Sequence, residues 1–226
     1  MWQTVIGIAL ALLLAGLLVR NLMRGTAARK AEPQRLFAEA LPVLEDAEAT
    51  AGETAGTFIL TGRYRGLDLR VTVVADTLAL RKLPSLWLMV TIPMPLPIKA
   101  TLDLMMRPAS VTSFSNFDHL PFTIETPEGF PEQMVIRSDV PDMALPLDLV
   151  ARHVAPLSQP RGKELLITPK GLRLVMQMAE ADRARYGVFR QADFGGAVVD
   201  PEVLREAVER LMDLRRDILA WHDRTS

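Results

Sequence analysis

The stretch from Trp2 to Val19 carries no charged side chain and is dense in Leu, Ala, Ile and Val, and it constrains this chain more than any other feature. At about 1.5 Å per residue, a helix over residues 2–19 is about 27 Å long, close to the ~30 Å hydrocarbon thickness of a bilayer. Leu22 and Met23 extend it, so residues 1–23 read as one transmembrane helix that meets the bilayer through residues 2–23. Trp2 suits an interfacial anchor at one end, and Val19 closes the apolar run at the other. Arg20, Arg24, Arg29, Lys30 and Arg35 follow, offset only by Glu32, which gives residues 1–35 a net charge of +4. The formal charge of the whole chain is −1, leaving −5 for residues 36–226, so the positive flank is local. The bias of Lys and Arg toward the cytoplasmic side then puts the C-terminal side in the cytoplasm.

A cleaved secretory signal requires a basic start, a shorter apolar core and a small-residue cleavage site soon after it. No basic side chain precedes the apolar run, and Thr26-Ala27-Ala28 lies beyond two arginines. An uncleaved anchor fits better, as it also does against a buried core helix.

The remaining chain is long enough for one substantial core. It is 49% hydrophobic and 23% charged, with Lys+Arg 26 against Asp+Glu 27, which excludes a wholly disordered or collagen-like chain. The absence of cysteine excludes disulfides, Cys-ligated zinc, iron–sulfur clusters and thiol nucleophiles. No phosphate-binding loop, dinucleotide fingerprint, nucleophile elbow or H-E-x-x-H stands in the sequence. No cofactor, metal or nucleic acid is expected.

Residues 24–56, rich in Ala, Glu, Arg and Thr, read as a tether with a short helix near 34–40, and residues 57–226 as the folded domain. Apolar side chains then alternate with a period of two. Phe58, Leu60 and the run 67–73 predict a hairpin turning at 62–66. The continuously apolar run 86–92 predicts a strand covered on both faces. Pro93, Pro95 and Pro97 alternate with Met94, Leu96 and Ile98, a pattern suited to an edge or extended crossing. A second long strand is expected over 98–106, then a long loop over 109–132 pinned by four phenylalanines, Phe114, Phe117, Phe122 and Phe130. Further elements are a strand at 133–138, a short helix within 142–155 interrupted by Pro146, and a hairpin turning at Thr168-Pro169-Lys170-Gly171. A helix starting at Thr168 and Pro169 competes with the second strand of that hairpin, and 179–190 fits either state. Asp200 as cap, Pro201, and the stripe Val203, Leu204, Ala207, Val208, Leu211, Met212, Leu214 and Ile218 predict a C-terminal helix to about Trp221. Strands followed by helix imply α+β with a mainly antiparallel sheet.

Candidate sites are few. Asp118-His119, in the Phe-rich loop, joins an acid to an imidazole, the pair a general base needs, although sequence neighbours seldom orient one another. His153 and His222 stand at no ligand spacing, and most of the 11 methionines fall in apolar alternation. Met94, Leu96 and Ile98, if exposed, form a patch for a bilayer or a protein partner. The expected function is therefore a non-enzymatic domain that binds a protein partner at the membrane. An apolar-ligand or lipid-binding module is the alternative, and a hydrolase comes third.

Topology is directly measurable. Reporters active only inside or only outside the cytoplasm, fused at Ser226, should report a cytoplasmic domain. Activity of the outside reporter, or a mature chain lacking residues 1–28, would show an export signal or an inverted anchor.

Overall fold

The computed structural model describes residues 32–76, 83–108, 114–142, 145–189 and 192–225. The stretch 2–23 and the side chains Trp2, Val19, Arg20 and Arg24 lie outside them. No helix among the described residues is long and apolar enough to cross a membrane.

Nine strands pair antiparallel in one sheet: β1 Glu45–Ala51, β2 Thr57–Tyr64, β3 Leu67–Asp76, β4 Ser85–Pro93, β5 Leu102–Met106, β6 Phe122–Ile124, β7 Met134–Ser138, β8 Gly162–Thr168 and β9 Gly171–Glu180. Their spatial order is β1-β2-β3-β4-β9-β8-β5-β7-β6. The C-terminal helix, Pro201–Thr225, packs on β4 and β9. The fold is α+β, a mainly antiparallel sheet with a C-terminal helix.

Local chemistry explains each element. Arg65 and Gly66, at φ 50° and 78°, form the two-residue loop between Tyr64 and Leu67, a mirror-image turn that matches strand twist. Glycine takes such a φ without strain. Even-numbered residues of β4, Leu86, Leu88, Val90 and Ile92, face the helix and are buried, while Met89 is buried on the other side. At the helix start, Asp200 Oδ1 accepts the Glu202 amide at 2.8 Å, the expected cap. Leu204, Ala207, Val208, Leu211, Leu214 and Ile218 form its buried stripe. Tyr64 donates to Glu209 at 2.8 Å, tying the β2–β3 turn to the helix.

Several boundaries differ from expectation. The supposed tether is part of the fold: Leu36, Phe37, Ala40 and Leu44 are buried, and 45–51 is a strand. β1 escaped notice because it is an edge strand exposed over most of its length, so only Ala49 is buried and no apolar alternation marks it. The strand expected over 98–106 begins only at Leu102. Before it, the amides of Met94 and Leu96 bond the carbonyls of Lys170 and Pro169 in the β8–β9 turn, and the intervening prolines have no amide hydrogen to pair. The Phe-rich loop contains a short 3-10 turn, Phe117–His119, and the edge strand β6. Pro146 does not interrupt a helix but precedes one, Leu147–Ala151. Of the two readings for 171–180 the strand holds, and a helix follows at Arg183–Phe189.

Phe37 is fully buried beneath the first strands. Phe37→Ala should lower stability by about 3–5 kcal/mol, the usual range for deleting a buried phenyl ring. Denaturant unfolding of a fragment 32–226 should be cooperative, and a fragment starting at residue 45 should melt well below it. Equal midpoints would show that residues 32–44 add nothing to the core.

Candidate functional site

The strand registers place four charged side chains on the sheet face opposite the helix. Asp103 of β5 lies across from Arg137 of β7 and from Leu166 of β8, and Leu166 lies across from Arg173 of β9. Glu164, two residues before Leu166, shares that face because side chains alternate along a strand. Asp103 and Glu164 are 1% and 0% exposed, an unusual depth for two acids.

The Phe-rich segment seals them. Arg173 Nη2 donates to Glu164 Oε2 at 3.0 Å, and Ser115 Oγ donates to the other Glu164 oxygen. The Phe117 amide donates to Ser115 Oγ at 3.1 Å. Arg137 donates to the carbonyls of Phe117 and Asp118 and stacks 5.0 Å from the Phe117 ring centre. Phe114 packs on Trp87, with ring centres 5.2 Å apart. Four buried polar atoms have no partner among the described residues, Trp87 Nε1, Asp103 Oδ1, Arg137 Nε and Arg173 Nε, and all belong to this face.

Burial pushes the Asp103 carboxyl up to about 9, with the neighbouring Glu164 charge adding to the rise and Arg173 opposing it. Asp103 is therefore neutral at pH 7. A neutral acid beside a second carboxyl group and an arginine is the kind of set that proton transfer uses. Here both acids are buried beneath the cover.

The sequence-derived candidates fall elsewhere. Asp118 and His119 are exposed on the 3-10 turn, and among the described residues no hydrogen bond joins their side chains to each other or to the acid pair. Arg137 uses only the Asp118 backbone carbonyl. Leu96 is buried, Met94 and Ile98 pack against the core, and Arg215 Nε lies 3.0 Å from Met94 Sδ. The exposed docking patch considered for Met94, Leu96 and Ile98 is thus absent, because the crossing is folded inward over apolar neighbours. His153 pairs with Asp217 of the C-terminal helix at 2.9 Å. Among the described residues no group of three or more His, Asp or Glu is arranged to hold a metal ion. Asp103 and Glu164 were missed, although each is an acid set in an apolar strand, Leu102-Asp103-Leu104 and Glu164-Leu165-Leu166.

Two cavities open on the helix side of the sheet. One, about 480 Å³, is walled by Leu36, Phe58, Ala75, Leu86, Phe194 and Ala197, with Glu32, Arg35 and Asp193 among its polar lining. The other, about 220 Å³, runs between β9 and the first turns of the C-terminal helix over Leu88, Leu174, Met176, Met178 and Val203. The segment 194–199 passes between them, held where the Val199 amide bonds the Leu36 carbonyl at 2.9 Å.

No protein-family model matches the chain, and no curated protein matches its sequence. Among solved structures, the mycobacterial trehalose monomycolate transport factor A is similar over 84% of this chain and 96% of that one, at 9% identity and a TM-score of 0.44. A likeness of that size adds no weight to any reading of the site.

The acid pair predicts a pH dependence with a definite sign. Asp103 holds its proton up to about pH 9 in the fold, against an ordinary value of 3.8. Its contribution is full below that ordinary value and is lost as pH rises through the folded value. Melting temperature should therefore decline over this window, and Asp103→Asn, which cannot ionise, should flatten the decline and be the more stable form at alkaline pH. Parallel curves for the two proteins would remove Asp103 as the titrating group.

Proposed function

We propose that this chain is a single-pass membrane protein, anchored through residues 2–23 with its domain in the cytoplasm, and that the domain is a non-catalytic module that takes up an apolar chain. The observation that carries this reading is the cavity of about 480 Å³. Its volume falls within the range of small-molecule sites, roughly 300 to 1,000 Å³. Leu36, Phe58, Leu86 and Phe194 supply the apolar walls such a ligand needs.

Position supports the same reading. Glu32 and Arg35 line the cavity, and Glu32 stands nine positions after Met23, the end of the apolar stretch. A fully extended chain of that length reaches roughly 30 Å, so the opening stays close to the bilayer surface. A lipid tail leaving the membrane would exchange one apolar environment for another over a short path.

A protein partner is the second reading, supported by the smaller groove. Met176 and Met178 line it, Val198 beside it is 37% exposed, and methionine-lined grooves adapt to varied apolar side chains.

The ligand reading is tested with the full chain in phosphatidylcholine nanodiscs and a photoactivatable, uncharged monoacylglycerol. Crosslinks should map to peptides containing Phe58, Leu86 or Phe194 as well as to residues 2–23. Ala75→Trp, or Ala197→Leu should the first variant fold poorly, should cut the domain crosslinks several-fold and leave those of the anchor. Labelling confined to residues 2–23 would sink the ligand reading and leave the partner reading standing.

A further inference from the structure

We infer that the larger cavity is selective for a zwitterionic phosphoethanolamine lipid, with the phosphate on Arg35 and the ammonium on Glu32. The inference rests on the ligand reading above and adds the headgroup.

Three ionisable side chains line the cavity, Glu32, Arg35 and Asp193. Asp193 is already committed. It pairs with Arg185 and accepts the Gly195 amide at 2.8 Å, which holds its carboxyl below the usual carboxylate range. Glu32 and Arg35 differ. They are exposed and stand three residues apart on one helical turn, and neither side chain has a hydrogen bond or ion pair among the described residues. Side chains at that spacing are neighbours on a helix surface and ordinarily meet. Glu202 and Arg205, at the same spacing in the C-terminal helix, do form an ion pair. Arg35 instead reaches over Gly196: a Cβ placed there would lie 3.2 Å from Arg35 Nη1. The guanidinium thus lies beside the segment that walls the cavity, and among the described residues no cation answers Glu32 one helical turn away.

The ligand that answers both charges carries an anion and a cation a few atoms apart, joined to an apolar tail. A phosphate accepts two hydrogen bonds from a guanidinium fork. A primary ammonium donates to a carboxylate. A phosphocholine keeps the charge but has no N–H to donate, a phosphoglycerol lacks the cation, and a monoacylglycerol lacks both. The source is the bilayer, since the anchor holds the cavity mouth within reach of it.

The experiment uses the full chain in phosphatidylcholine nanodiscs and four photoactivatable single-chain probes sharing one acyl tail: lysophosphatidylethanolamine, lysophosphatidylcholine, lysophosphatidylglycerol and monoacylglycerol. At limiting probe, the ethanolamine form should label the cavity peptides about tenfold more than the others, as expected when a hydrogen bond to a charged group is worth about 1.5 kcal/mol. Glu32→Gln and Arg35→Gln should each abolish the preference while monoacylglycerol labels both variants as it labels the wild type. Equal labelling by all four probes, or a preference that survives both substitutions, would overturn the headgroup inference and leave the cavity reading intact. Failure of every probe to label the cavity would overturn both.

Discussion

A wide sheet has two faces, and the described residues supply one long helix, Pro201–Thr225. Everything else in the architecture answers the question of how the second face is closed. The helix buries an apolar layer from Leu60 through Val90 to Leu165. The opposite face receives the segment around Phe114 and Phe117, far too small to form a second apolar layer. Polar groups therefore complete the closure: Ser115 and Arg137 fasten the cover, and Glu164 and Arg173 receive it. Buried ion pairs are poor sources of net stability, because desolvation offsets most of their attraction. They are effective at fixing one geometry, and here the geometry fixed is that of an otherwise irregular segment.

The two faces divide the chemistry of the molecule. The sealed acids Asp103 and Glu164 lie under the cover, whereas the two cavities described above lie on the helix side, where Leu, Phe, Met and Ala side chains are mixed with charged groups such as Asp193 and Glu206.

The sequence was legible where burial is one-sided. In β2 and β3 apolar residues alternate because water lies on one side and the helix on the other, and the stripe of the C-terminal helix has the same cause. It was illegible where that asymmetry fails. β1 faces water on nearly all positions, so Glu45, Asp46 and Glu48 look like a linker although pairing with β2 orders them. In β5 all five residues are buried, and Asp103 reads as a solvent-facing alternate when it is in fact sealed. The candidate site was hidden for the same reason: period-two alternation tells which face a side chain takes but not what covers that face. Nothing local announces that Ser115 will meet Glu164, 49 residues away.

The pairing of β4 with β9 also sets an order of events during synthesis. β4 is central, yet its second neighbour begins only at Gly171, some 78 residues after Pro93. At roughly 5 to 20 residues per second, a ribosome takes on the order of 4 to 16 s to cross that gap. Through this interval the apolar edge of β4 waits unpaired, next to the bilayer if the anchor has already inserted. Formation of the β8–β9 hairpin, and then arrival of the last helix, ends the exposure. A nascent chain built this way has reason to engage a chaperone between β4 and β9, and a ribosome pausing there would lengthen its most vulnerable period.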